Sequence, residues 1–303
     1  MANQVMAWAG FFILVVTMLA LDLGIFQRKS HAIRIKESLL LTAFWVSLAL
    51  LFNLGIYFTR GPHPALEFLT GYLIEESLSV DNIFVFLLIF SYFSVPVSIQ
   101  RKALFWGILG AIVLRAFFIM MGLTLIHRFH WILYFFGGLL VLTGARMASG
   151  KDKEIEPEKN PILRIFRKWV PVTQDYEGDK FFIKRNAQYF ATPLFLVLLV
   201  IETTDLIFAV DSIPAIFSVT LDPFIVYTSN IFAILGLRAL YFTLAGMMQR
   251  FHLLHYGLSA ILVFVGIKML IADFCHIPIG IALSVVACVL AVSVIASLIR
   301  PKS

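Results

Sequence analysis

Apolar stretches of about twenty residues, separated by short polar breaks, fill almost the whole chain. Nine such runs stand out, at 5–26, 38–59, 66–93, 103–126, 131–148, 192–218, 223–247, 255–273 and 277–298. An α-helix of about 20 residues matches the roughly 30 Å hydrocarbon core of a bilayer, so the pattern predicts an all-α membrane protein with about nine transmembrane helices. The breaks carry turn chemistry, as in Gly61-Pro62-His63-Pro64, Val95-Pro96 and Asp222-Pro223. One polar connection, 149–191, is much longer than the others. Within it Pro161 to Val170 alternates apolar and basic residues at helical spacing, which predicts an amphipathic helix on the membrane face.

Composition agrees with this reading. Of 303 residues 60% are hydrophobic and only 14% charged, against about 25% charged in soluble domains. The net charge of +6 does not point to nucleic acid, because the basic residues sit between spans and act as orientation signals. Arg28, Lys29, Arg34, Lys36, Arg101, Lys102, nine Lys/Arg from Lys151 to Arg185, Arg250, Arg300 and Lys302 fall on one side; Arg60 and Arg128 fall on the other. The positive-inside rule then predicts an outer N-terminus, with the first span retained, and a cytoplasmic C-terminus. The two cysteines, Cys275 and Cys288, read as free buried thiols.

Two runs break the apolar rule. Ile74-Glu75-Glu76-Ser77-Leu78-Ser79-Val80-Asp81-Asn82-Ile83 and Ile201-Glu202-Thr203-Thr204-Asp205 through Val210-Asp211-Ser212-Ile213 place six carboxylates inside spans. Each costs about 2.5–3.5 kcal/mol at the centre of a spanning helix on insertion scales, so they require a purpose. Aligning Asp81 with Asp211 sets Glu75 against Asp205, the opening of a longer repeat. Ile108-Leu109-Gly110 and Leu114-Arg115-Ala116 return as Ile234-Leu235-Gly236 and Leu237-Arg238-Ala239. Tyr134 and Gly144-Ala145-Arg146-Met147 return as Tyr256 and Gly266-Ile267-Lys268-Met269. Each unit has three spans, so the second is inverted relative to the first, as in many secondary transporters. The chain thus divides into two N-terminal helices (1–60), a first three-helix repeat (66–148), a cytoplasmic linker (149–191), a second repeat (192–273) and a last helix with a basic tail (277–303).

Against the six acids stand Arg115 and Arg238, with Lys268 nearer a span end, so ion pairing leaves acid in excess. A bound cation or protons must neutralise the remainder. On a straight helix Glu75 and Asn82 share a face, as do Asp205 and Ser212, whereas Asp81 and Asp211 point about 120° away. The competing expectation is purely structural: Asp81 and Asp211 pair with Arg115 and Arg238 as buried props. Carboxylate, amide and hydroxyl oxygens suit Mn²⁺, Ca²⁺ or Mg²⁺ better than Zn²⁺ or copper. Glu76, Asn82, Ser212 and Asp22 are accessory positions on a metal or proton path. Protons trade with metal at such carboxylates near neutral pH, so cation/proton exchange is the natural mechanism. No Walker A motif indicates ATP coupling.

Several stretches resemble the TerC/Alx family of integral membrane proteins. They are Leu69-Thr70-Gly71-Tyr72-Leu73-Ile74-Glu75, Ser79-Val80-Asp81-Asn82, Phe208 to Phe217, and Thr228-Ser229-Asn230 through Leu237-Arg238-Ala239. The resemblance implies a place in the LysE-type transporter superfamily and an inner-membrane Mn²⁺ exporter that is not an enzyme and holds no tightly bound cofactor. It puts the transport carboxylates at Glu75, Asp81, Glu202, Asp205 and Asp211. Partners would be the divalent cation, protons and the bilayer, with other membrane proteins possible. A membrane-protein assembly factor and a Ca²⁺/proton exchanger are the alternative readings.

Overall fold

The computed structural model describes residues 2–26, 35–129, 131–149, 161–185, 188–245, 253–275 and 277–299. The side chains of Asp22 and Asp81 lie outside the described residues. The element order is α1 (Ala2–Phe26), α2 (Ile35–Arg60), α3 (Pro62–Tyr92), α4 (Val97–Arg128), α5 (Ile132–Ala148), α6 (Pro161–Trp169), β1 (Phe182–Arg185), β2 (Gln188–Ala191), α7 (Pro193–Phe217), α8 (Pro223–Ala245), α9 (Leu254–Leu270) and α10 (Ile279–Ile299). Each predicted apolar run contains one long helix. Five of these are long and apolar enough to cross a membrane, and three shorter ones are also apolar. The remaining long helix, α3, carries Glu67, Glu75, Glu76 and Asp81.

Proline sets several helix starts, because its missing N–H costs nothing at the first helical position. Pro62 opens α3 after Gly61, whose φ of 95° is a left-handed conformation that glycine adopts without strain. Pro193 opens α7 and Pro223 opens α8, where the Asp222 carboxylate accepts the Phe224 N–H at 2.8 Å. Pro96 precedes α4. Pro214 does not interrupt α7, which continues to Phe217.

α3 packs against α8, α4 against α7, and α5 against α9. Small residues bring these helices close, as expected where lipid leaves no hydrophobic drive between helices. A Cβ on Gly137 would meet the Gly266 carbonyl oxygen at 3.0 Å, and one on Gly144 would meet the Ser259 carbonyl oxygen at 2.8 Å. In the repeat register Gly144 matches Gly266 and Gly137 matches Ser259, so these two contacts exchange with one another. On α4, Gly107, Gly110 and Gly122 face Ile201, Glu202 and Phe217 of α7. Phe11, Phe52, Phe68, Phe224 and Phe232 form a ring cluster that fastens α1 and α2 to α3 and α8.

The long connection departs from the all-α expectation. β1 and β2 form an antiparallel hairpin, with Phe182 opposite Ala191 and Arg185 opposite Gln188. Its alternation is too short and too exposed to stand out beside nine apolar runs. α6 forms where predicted; Leu163 is buried and the Phe166 ring packs at a tilt against Phe195 of α7, while Ile165 and Trp169 stay exposed. The Tyr176 hydroxyl donates to the Phe93 carbonyl at 2.7 Å and Lys102 pairs with Asp179 at 3.0 Å, tying this segment to the α3–α4 turn. At the other end Arg60 pairs with Asp222 at 3.1 Å, and the Lys268 ammonium donates to the Ser218 carbonyl at 2.8 Å. Cys275 and Cys288 are free as expected but exposed rather than buried, since both lie on the outside of the bundle.

Candidate functional site

Four helices converge on the Arg115 guanidinium. Arg115 is only 1% exposed, and it ion-pairs with Glu75 of α3 and Asp205 of α7, themselves 0% and 3% exposed. Its Nη2 donates to Asp205 Oδ1 at 3.1 Å. Its Nη1 pairs with Glu75 Oε1 and lies 3.2 Å from both Ser212 Oγ of α7 and Asn230 Oδ1 of α8. Asn230 Nδ2 donates to the second Glu75 oxygen at 3.0 Å. Half of this arrangement follows from helix pitch: Asp205 and Ser212, seven residues apart, share one face of α7 and both reach Arg115.

Two further carboxylates flank this centre. Gly110 of α4 leaves the space that the Glu202 carboxylate occupies, and a Cβ there would overlap it at 2.0 Å. Glu76 faces Gly236 of α8, where an added Cβ would meet its carboxylate at an ordinary 3.9 Å, and lies beside Tyr72 on its own helix. One oxygen of each of Glu76, Glu202 and Asp205 is buried with no hydrogen-bond partner among the described residues, as is Arg115 Nε. Such atoms are uncommon in native interiors and call for an explanation.

The remaining predicted positions divide. Asp211 turns away from Arg115 and accepts a hydrogen bond from Thr143 of α5 at 3.0 Å, so Arg115 props Glu75 and Asp205 rather than Asp211. Asn82 is buried on α3 and Arg238 lies on α8. Asp22 and Asp81 fall, as to their side chains, outside the described residues. Among the described residues no three acidic, histidine or cysteine side chains surround one point at metal-ligating distance. A cavity of about 570 Å³ lies elsewhere, at the linker end between Tyr92, Arg167, Gln174 and Tyr176. Tyr92 is some 25 Å of helix beyond Glu75 at 1.5 Å per residue, so that cavity is not part of this centre.

Asn230, Thr143, Gly110 and Glu67 were not singled out from the sequence as site residues. Asn230 ends the polar triplet Thr228-Ser229-Asn230 within the apolar run from Pro223 to Leu237, the signal that would have found it. Glu67 stands two turns before Glu75 on α3 and contacts His63 at 3.4 Å.

Comparison with known proteins decides the family, because the model of the integral membrane protein TerC family matches residues 60–303. The chain belongs to the TerC family. It is 52% identical over 295 residues to an uncharacterized membrane protein of Myxococcus xanthus, covering 97% of this chain and 92% of that one. It is 52% identical over 288 residues to the Escherichia coli (strain K12) protein named "Putative membrane-bound redox modulator Alx", covering 92% and 90%. A Rickettsia bellii membrane protein is 43% identical over 295 residues, covering 97% and 98%. No solved structure matches the chain. Family membership and the apolar helices make this an integral membrane protein.

Proposed function

We propose that this TerC-family protein is a divalent-cation exporter of the bacterial inner membrane, with Mn²⁺ as its substrate and protons as the counter-ion. The observation that carries the reading is the four-helix cluster around Arg115, where the buried Glu75 and Asp205 pair with the guanidinium while the half-buried Glu76 and Glu202 beside them each keep a buried carboxylate oxygen with no hydrogen-bond partner among the described residues. Buried acid in excess of its partners is costly, and a visiting cation is the reason to retain it. Glu75, Asp81, Glu202, Asp205 and Asp211 are the carboxylates we assign to transport. The exchanging glycine contacts between α5 and α9 support two inverted three-helix repeats, and alternating access would move one against the other. The basic loops support an outer N-terminus. The protein acts as a carrier rather than an enzyme and needs no nucleic-acid partner.

A Ca²⁺/proton exchanger would use the same oxygen ligands, and an assembly factor would need none of them. Purified protein in liposomes loaded with a metal-sensitive dye separates the three. The expected result is Mn²⁺ flux that depends on a pH gradient and is lost in Asp205→Asn. Ca²⁺ flux in place of Mn²⁺ flux supports the exchanger, and no divalent flux supports the assembly role.

A further inference from the structure

The position between Glu75 and Asp205 is filled by a cation that belongs to the chain. Arg115 reaches it from α4 and spends both terminal nitrogens there, on two carboxylates from different helices. Two features mark this as a temporary partnership rather than a completed structural pair. Asp205 Oδ2 and Arg115 Nε are buried without partners among the described residues, so neither side of the pair is saturated there. The adjacent Glu202 carboxylate also has a buried oxygen without a partner among the described residues, and it lies in the Gly110 notch on the helix that carries Arg115. A purely structural arginine would be expected to consume these acceptors, because each one left bare in the interior weakens the fold.

We propose that Arg115 is a tethered competitor of the transported ion: it holds the Glu75–Asp205 position in the unloaded carrier and must be displaced when a divalent cation binds. This rests on the transport reading above. Guanidinium cannot leave by losing a proton, so the position is vacated by movement of the side chain or of its helix. Tethering gives the guanidinium a very high effective concentration, which a free monovalent ion does not overcome. A divalent ion attracts the same two carboxylates about twice as strongly per unit distance. Arg115 thereby becomes a selectivity residue that excludes Na⁺ and K⁺ while it weakens and speeds the release of the divalent substrate.

The test is equilibrium Mn²⁺ binding to the purified full chain, wild type against Arg115→Ala, each checked for helicity and a single elution peak. Arg115→Ala is expected to bind Mn²⁺ at least tenfold more tightly. Millimolar guanidinium, and Na⁺ at physiological concentration, should each weaken that binding in the variant and leave the wild type unaffected. Should Arg115→Ala not fold, Arg115→Lys keeps the charge but loses the two-pronged grip, and a several-fold tightening is expected there. Unchanged or weaker Mn²⁺ binding in a folded variant overturns the competitor role and leaves the transport reading standing. No Mn²⁺ binding to wild type or variant overturns both.

Discussion

Two ion pairs in this molecule use the same chemistry in opposite surroundings. At the linker, Lys102 and Asp179 meet at 3.0 Å with 32% and 65% of their side chains exposed. In the bundle, Arg115 meets Glu75 and Asp205 with almost nothing exposed. Water competes for the first pair, salt screens it, and its loss costs about 1 kcal/mol at most. No water relieves the second set once a partner is removed, so breaking it costs about 3–5 kcal/mol. The difference teaches that the buried cluster is where the chain accepts risk, and function is the reason to accept it.

The sharpest way to break that comparison is Glu75→Ala. It strips Arg115 of one anchor and Asn230 of its acceptor at once. Thermal unfolding in detergent should show a loss of about 3–5 kcal/mol. A loss no greater than that of a surface charge variant would show that the cluster is far wetter than its burial indicates.

The flanking carboxylates sharpen it further, because the two glycine notches differ. A methyl group at Gly110 would strike the Glu202 carboxylate, which is the free end of a flexible side chain and can swing aside. Gly110→Ala should therefore fold normally yet cut Mn²⁺ flux at least tenfold, matching Glu202→Gln in the same liposome assay. At Gly236 the nearest atoms, of Trp45 and Glu76, stand 3.7–3.9 Å from the added methyl, an ordinary contact. Gly236→Ala should leave flux unchanged and stabilise α8 by about 0.5–1 kcal/mol, the usual helix gain from glycine to alanine. Equal effects at the two positions would mean that Glu202 holds no special place.

How far the sequence spoke follows from the same physics. Helix positions were legible because a bilayer-length apolar run admits few other structures. The Asp205–Ser212 face was legible because a seven-residue spacing nearly closes two turns. Arg115's choice of Glu75 and Asp205 over Asp211 was not, because it depends on how α3, α4 and α7 cross, and glycines at the crossings set that. Thr143 as the partner of Asp211 was hidden for the same reason: nothing local to α5 announces that α7 will present an acid there. The β1–β2 hairpin escaped notice because strands of four mostly exposed residues, with only Ala191 fully buried, bury too little to leave a pattern.

The smallest effect belongs to the surface pair, and its sign with pH can be worked out. Lys102 holds the Asp179 carboxyl below the usual carboxylate range, through its hydrogen bond and its charge. A group whose folded pKa is depressed adds stability above its unfolded pKa and loses it as pH falls through the folded value. The contribution should be complete at neutral pH and vanish only below the ordinary carboxylate range, about pH 4. Asp179→Asn should then lower stability by at most about 1 kcal/mol at neutral pH and low salt, and by nothing at high salt. Thermal unfolding of the two proteins across salt and pH reads this directly. A loss that persists at high salt would mean that the linker is held by packing around Asp179, and the contrast with the buried cluster would have to be drawn on shape rather than on charge.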